Sequence, residues 1–306
     1  MKIRVLGSAA GGGFPQWNCN CHNCSGVRNG TVRATPRTQS SIAVAGADAS
    51  AWALVNASPD ILAQLKSHAP LQPARAPRDS GVAGIVLVDA QVDHTAGLYM
   101  LRESQRPLAI WCTDSVCADL THGNPIFGVL AHYCGVDRRP MECDGREFTV
   151  EGVAGVSWRA LAVMSKPPPY SPHRAAPTAG DNVALVVRDA VSGRSLVYAP
   201  GLGAMEPPVW RALEAADCVL VDGTFWSDDE MLRQGLSAKR ARDMGHLPQS
   251  GAGGMLEWLG RLPRSTRRIL IHVNNTNPIL DEDSAERRLL EGAGVEVAAD
   301  GLEIAL

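Results

Sequence analysis

Three cysteines open the chemistry of this chain. Cys19, Cys21 and Cys24 are separated by one residue and then two, among turn-forming neighbours Trp17, Asn18, Asn20 and Asn23. A tetrahedral zinc ion is satisfied by four thiolate or imidazole ligands, and a tight turn is the simplest way to aim several of them at one point. Fortuitous clustering or a disulfide is the competing reading, and a reducing compartment favours metal over both. A cysteine-dominated zinc site is ordinarily closed, so this one reads as structural, with its chemistry elsewhere in the chain. The fourth ligand must come from a distant residue, because His22 sits inside the loop and is expected to point away.

A second set of metal-capable groups follows apolar runs. Asp89, Asp93 and His94 come after one run, Asp222 after another and His272 after a third. Loops at the carboxyl ends of strands are where α/β folds gather their reactive groups. Taken alone, Asp93 and His94 could simply cap the helix that follows them.

The elements that would position these groups are legible as short apolar, strand-like runs: Ile3 to Leu6, Ser41 to Val44, Trp52 to Val55, Gly84 to Val88 and Leu108 to Trp111. Helical spacing is predicted from Pro59 to Gln64, with Ser58 as cap, and from Thr95 to Arg102. A β-rich middle follows, with strands at Phe148 to Val150, Val156 to Val163, Val183 to Val187 and Ser195 to Tyr198. Then come a helix from Pro207 to Ala216, a strand from Cys218 to Val221, a helix after Ser250 and a strand from Arg268 to Ile271. A pair of short strands around Val295 and Leu302 closes the chain. Lys166-Pro-Pro-Pro-Tyr170-Ser-Pro-His173-Arg174 can be neither helix nor central strand, since its prolines lack donors. It is a loop, either a binding loop or a stiffened connection.

The 306 residues carry 29 basic and 32 acidic side chains, a net charge of -3, with no long run of either sign. That balance argues against nucleic acid as the main ligand. The opening MKIRVLGSAAGGG is too short and glycine-rich for an export signal, and no stretch approaches the length of a membrane span. The expectation is a soluble cytoplasmic protein with no membrane partner. One large α/β domain over residues 1–306, with a zinc loop at about 7–30, fits better than two domains. Cys112, Cys117, Cys134, Cys143 and Cys218 lack ligand spacing, and Cys218 is expected in the core.

Asp93-His94-Thr-Ala-Gly97 partly matches the metal motif of the metallo-β-lactamase superfamily, with Asp89 and Gln91 where its first two histidines would stand, and His272 resembles its last histidine. Where that superfamily often has a metal-bridging aspartate, this chain has Tyr198-Ala-Pro200-Gly-Leu-Gly203. Together with Gly7 to Cys24, Pro167 to Arg174, Asp222-Gly-Thr-Phe-Trp226, Met244 to Gly251 and His272 to Pro278, these motifs identify a resemblance over essentially the whole chain to the PqqB family of pyrroloquinoline quinone (PQQ) biosynthesis.

The resemblance implies an αβ/βα four-layer sandwich, a cysteine-bound structural zinc and a homodimer contacting through the zinc loop. In a related branch, phosphodiesterases of carbon-phosphorus lyase pathways, a histidine three residues after the last active-site histidine completes a similar cluster. Here that position is Asn275, a candidate fourth ligand beside water or another side chain.

For function the resemblance implies two roles, a carrier of the quinone or its precursor, or an iron-dependent oxygenase that hydroxylates the tyrosine-derived ring of a cross-linked Glu-Tyr precursor. Two histidines and a carboxylate with open positions suit Fe(II) and O₂, and Asp93, His94 and His272 would supply them, with Asp89 a further candidate ligand. A metal-dependent hydrolase is the third alternative, weakened because a second metal has no obvious ligands. Asp89, Asp222 and His246 would orient ligands or move protons. Tyr170, His173 and Arg174 would meet an aromatic, multiply carboxylated substrate, with Arg174 matching a carboxylate.

Overall fold

In a computed structural model describing residues 1–306, fourteen strands form two seven-stranded sheets. The strands are β1 (Lys2–Gly7), β2 (Ser41–Ala45), β3 (Trp52–Val55), β4 (Val82–Val86), β5 (Leu108–Cys112), β6 (Val136–Pro140), β7 (Asp144–Phe148), β8 (Val156–Ala162), β9 (Val183–Asp189), β10 (Ser195–Ala199), β11 (Cys218–Asp222), β12 (Arg267–Ile271), β13 (Val295–Val297) and β14 (Glu303–Ala305). The first sheet runs β14-β1-β2-β3-β4-β5-β6 and the second β13-β12-β11-β10-β9-β8-β7.

Side-chain parity builds the layers. Alternate residues of a strand face opposite ways, so a run apolar at every position is buried on both faces. Ile42, Val44, Val55, Val86, Leu185, Leu196, Leu220 and Ile269 form one apolar cluster between the sheets. Their strand neighbours Ala43, Leu54, Ile85 and Leu87 pack outward with Ile61, Val116 and Ile126 of the helical segments covering the first sheet. Val186, Val197, Val219 and Leu270 pack outward with Val209, Leu259 and Leu290 of the helices covering the second. Helix, sheet, sheet and helix are thus four layers, the αβ/βα sandwich of the metallo-β-lactamase type. Cys218 lies in the inter-sheet core, as its apolar run requires.

The two closing strands are present as expected, and they join different sheets, β13 pairing with β12 and β14 with β1. Several local expectations are corrected. The cysteine loop contains a helix, His22–Asn29, ended by Gly30 in the left-handed region. The stretch predicted as one helix after Asp93 is a short α-helix, Val92–Thr95, continued as a 3₁₀ segment, Ala96–Leu101. The helix expected from Pro59 begins at Ile61, and the strand expected at Phe148 to Val150 lies earlier, as β7. No helix is long and apolar enough to cross a membrane.

The glycine closing the Asp93-to-Gly97 motif has a packing reason. A Cβ on Gly97 would lie 2.1 Å from the Ser58 carbonyl oxygen and 2.7 Å from that of Ala57, both backbone atoms that cannot swing away. Gly97 also donates to Ala57, while Ala57 donates to the His94 carbonyl at 2.7 Å. The turn bearing the histidine is thereby clamped to the end of β3. Gly97→Ala is expected to destabilise the fold by about 2–3 kcal/mol, through overpacking against fixed backbone. A denaturation midpoint equal to that of the parent chain would contradict this close approach.

Candidate metal centre

Parallel pairing gathers the reactive residues at one edge. β11 and β12 are parallel, with Asp222 opposite Ile271, so Asp222 and His272 leave neighbouring strand ends. His272 has φ 62°, a left-handed conformation costly for a residue with a Cβ, which needs surrounding contacts to hold it. On the first sheet, the chain beyond β4 reaches Asp89, which bridges to Asn182, and then enters the short helix carrying Asp93 and His94.

One ligand atom from each of Asp93, His94 and His272 falls within 4.8 Å of the others. Asp93 Oδ2 is 3.2 Å from His272 Nε2 and 3.8 Å from His94 Nε2. Ligands bound at about 2.1 Å to one ion stand about 3.0–3.4 Å apart, so a small adjustment brings all three onto a divalent metal. His94 supplies the sharper test of fit. Its Nδ1 donates to the Asp89 carboxylate at 2.8 and 2.9 Å, while its buried Nε2 has no hydrogen-bond partner. A buried imidazole nitrogen without a partner, facing a carboxylate and a second imidazole, suits a metal that would displace its proton. Asp89 therefore lies behind His94, on the ring edge away from the ligand atoms, and its geometry is that of an orienting group rather than a ligand.

Thr224 organises the other half of the site. Its hydroxyl donates to Asp222 Oδ1 at 2.6 Å, and its oxygen lies 2.9 Å from His272 Nδ1 and 3.1 Å from His246 Nδ1. His246 donates Nδ1–H to Asp222 Oδ2 at 2.7 Å. Asp222, His246 and His272 form a second group with metal-ligating potential. The Asp222 carboxylate, however, already accepts from Leu202 N, Thr224 N, the Thr224 hydroxyl and His246, which fills its lone-pair positions. It thus orients His246 and leaves a second metal poorly served.

The electrostatics are those of packed opposite charges. Burial opposes ionisation of Asp93, yet the neighbouring His94 charge and the hydrogen bond with His272 hold it well below the usual carboxylate range. Burial likewise opposes charge on His94, but Asp89 and Asp93 raise it to about 9. Asp222 raises His246 against the same burial. The site is a cation-seeking pocket of carboxylates and imidazoles.

The proline loop lies beside this edge. The Tyr170 hydroxyl donates to the Ala90 carbonyl, and Gln91 Nε2 donates to the Lys166 carbonyl at 3.0 Å, which ties the loop to the Asp89–His94 segment. Arg174 donates to the Pro167 carbonyl within the loop. His173 Nδ1 pairs with Asp181 at 2.8 Å, and that hydrogen bond raises its pKa.

At the amino-terminal loop, the Asn275 amide converges on all three cysteine sulfurs, with Nδ2 at 3.0 Å from Cys19, 3.6 Å from Cys21 and 3.4 Å from Cys24. Turning that amide over would present Oδ1 to the same point, and the two orientations are set by the bonding network rather than by shape. His22 points instead towards Asp281, at 4.0 Å.

A profile described as the beta-lactamase superfamily domain matches residues 51–273. Coenzyme PQQ synthesis protein B of Azoarcus sp. (strain BH72) is 63% identical over 306 residues, covering all of both chains. The protein of the same name from Methylobacillus flagellatus is 58% identical over 307 residues, again covering both completely. The chain belongs to the PqqB family. Among solved structures, Zn(2+)-bound PqqB from Methylobacterium extorquens superposes with a TM-score of 0.89 at 37% identity, covering all of both chains. As a PqqB-family member, the chain is one of the coenzyme PQQ synthesis proteins.

Two residues of this PqqB-family site escape reading by type. Thr224 carries no metal-ligand signature, and only its place two residues beyond Asp222 could have drawn attention to it. Thr224→Val is expected to weaken metal binding at the histidine centre about 10–100-fold, as loss of an orienting contact does, with Thr224→Ser restoring it. Competition with a chromophoric chelator reads this directly, provided cysteine-bound metal is counted apart.

Glu230 is the other. Its carboxylate accepts from Trp226 N at 2.6 Å and from the Thr276 hydroxyl, joining the segment after Asp222 to the segment carrying Asn275. Burial raises it to about 7, from the 4.5 of a free glutamate. The folded state then holds a proton that the unfolded chain releases above about 4.5. Stability from this group is full below 4.5, is lost as pH rises towards 7 at about 1.4 kcal/mol per unit, and levels off beyond. The difference in unfolding free energy between Glu230→Gln and the parent chain should grow across that window in the variant's favour. A difference independent of pH would show that Glu230 is ionised when folded.

Proposed function

We propose that Asp93, His94 and His272 hold a single divalent iron, and that the protein hydroxylates the tyrosine-derived ring of the cross-linked Glu-Tyr precursor of PQQ. The observation that carries this reading is the unpartnered, buried His94 Nε2 beside Asp93 and His272. A two-histidine, one-carboxylate face leaves open positions, and iron bound there would supply activation of O₂. The residues around it do the rest. Asp89 holds the His94 tautomer, Thr224 holds His272, and Asp222 holds His246 with its second nitrogen free to move a proton at the ring hydroxyl. On the proline loop, Asp181 favours the charged form of His173, which with Arg174 meets substrate carboxylates while Tyr170 borders the ring.

The reading extends to the rest of the molecule. Cys19, Cys21 and Cys24, with Asn275 as fourth ligand, would hold a structural zinc. The zinc loop would be a homodimer contact, which the 86% exposure of Trp17 favours. The 306 residues would act as one cytoplasmic domain, with the quinone precursor as partner and neither nucleic acid nor membrane. Anaerobic loading with Fe(II), then addition of O₂ and a tyrosine-derived diamino acid, tests the activity by mass spectrometry of the product. Addition of oxygen to the ring is expected. Tight quinone binding with no oxygenated product would instead establish a carrier.

A further inference from the structure

On the face of the second sheet away from the inter-sheet core, Arg159 of β8, Arg188 of β9 and Arg211 of helix Pro207–Glu214 converge on a cavity of ≈ 440 Å³. No carboxylate lines it, and Leu161, Val186 and Ala212 supply apolar walls. Two other arginines on this sheet are paired with carboxylates, Arg146 with Asp144 at 2.6 Å and Arg267 with Glu296 at 2.7 Å, and Arg268 is tied to backbone carbonyls. Glu147, the register partner of Arg159, and Glu214, one turn beyond Arg211, make no ion pair with any of the three. Guanidinium groups stay charged at any ordinary pH, so three of them share one hollow without a counter-charge. The hollow is also remote from the histidines. Ser195, on its rim, begins β10, whose far end leads to Gly201 beside His246, and a five-residue strand spans about 17 Å.

We propose that this groove is a second binding site, for a small organic polycarboxylate with a flat apolar body. Guanidinium forks match carboxylates two bonds at a time, and forks carried on three separate elements fit carboxylates spread around one molecule. The volume is that of a small-molecule site. The chain's net charge of -3 and the confinement of the basic groups to one hollow set it apart from a nucleic-acid track. That the natural occupant is the precursor or quinone itself rests on the function proposed above, whereas the preference for polycarboxylates does not.

Calorimetry on the metal-replete protein with PQQ and with citrate tests the site. Both should bind, more weakly as salt is raised, and each of Arg159→Gln, Arg188→Gln and Arg211→Gln should weaken PQQ about tenfold or more. His94→Ala combined with His272→Ala should leave this binding in place. In the unsubstituted protein, PQQ should shield Arg159, Arg188 and Arg211 from phenylglyoxal, a readout that needs no variant to fold. Unchanged affinity in the triple variant, absence of shielding, or loss of binding in the histidine variant alone would overturn the groove as a site. Equal displacement by inorganic phosphate would overturn the ligand class. If citrate binds at the groove and PQQ does not, the polycarboxylate site stands and the quinone pathway assignment of its occupant fails.

Discussion

His94→Ala should leave a folded chain that retains the cysteine-bound metal, loses the other and forms no hydroxylated product. The effect is expected to exceed the about 100-fold associated with losing an orienting contact, because the substitution removes the ligand atom itself. It also leaves Asp89 with its His94 partner gone, a buried carboxylate whose remaining hydrogen bond comes from the Gln91 backbone N–H at 2.8 Å. Metal analysis of protein purified without added metal should give one equivalent less per chain than the parent. Two equivalents in the variant, or full pathway output from it, would place the chemistry away from the strand-end cluster.

Cys24→Ser carries the second large effect, on stability rather than chemistry. Cys24 is fully buried, and its sulfur accepts from Gln16 N at 3.3 Å and from Asn275 at 3.4 Å. Burial raises the Cys21 thiol to about 12, so in the metal-free state it keeps its proton, while zinc would replace protons throughout the cluster. Loss of one sulfur should release the zinc and cost about 2–4 kcal/mol, a Tm lowered by roughly 5–10 °C. Residues 7–30 should become accessible to protease, and the dimer proposed to form through this loop should be absent in light scattering. Cys112→Ser, in the core of the other sheet, serves as the comparison. A zinc-free variant that stays dimeric with unchanged Tm would remove any structural role from the cluster.

The strand-end chemistry was legible in the sequence because several of its residues follow short apolar runs. Asp222 after Cys218 to Val221 and His272 after Arg268 to Ile271 are the clearest cases, and the structure brings both to one edge. Hidden from the sequence were residues whose importance lies in what they touch. Thr224 is an ordinary hydroxyl until three side chains meet it. Arg159, Arg188 and Arg211 read as solvated charges until the sheet and a helix face them at one another. Helix His22–Asn29 was also illegible, since Asn, Cys, Ser and Gly are weak helix formers. It forms because Gly26 packs under Val32 and the Asn23 side chain donates to the carbonyls of Asn275 and Asn277. The two closing strands were legible, but which sheet receives each was not, since β13 and β14 are three residues each.

The pairing of Asp93 with His272 joins positions 179 residues apart, and Cys19 meets Asn275 across 256. Neither cluster exists in a nascent chain until β12 and the loop after it have left the ribosome and the two sheets have docked. Both metals would therefore be loaded after synthesis, onto an already assembled frame, and chain closure over such distances makes that assembly slow. Once seated, an ion at either cluster would fasten the amino-terminal half to the carboxyl-terminal half, so that the sheets come apart together in one cooperative event.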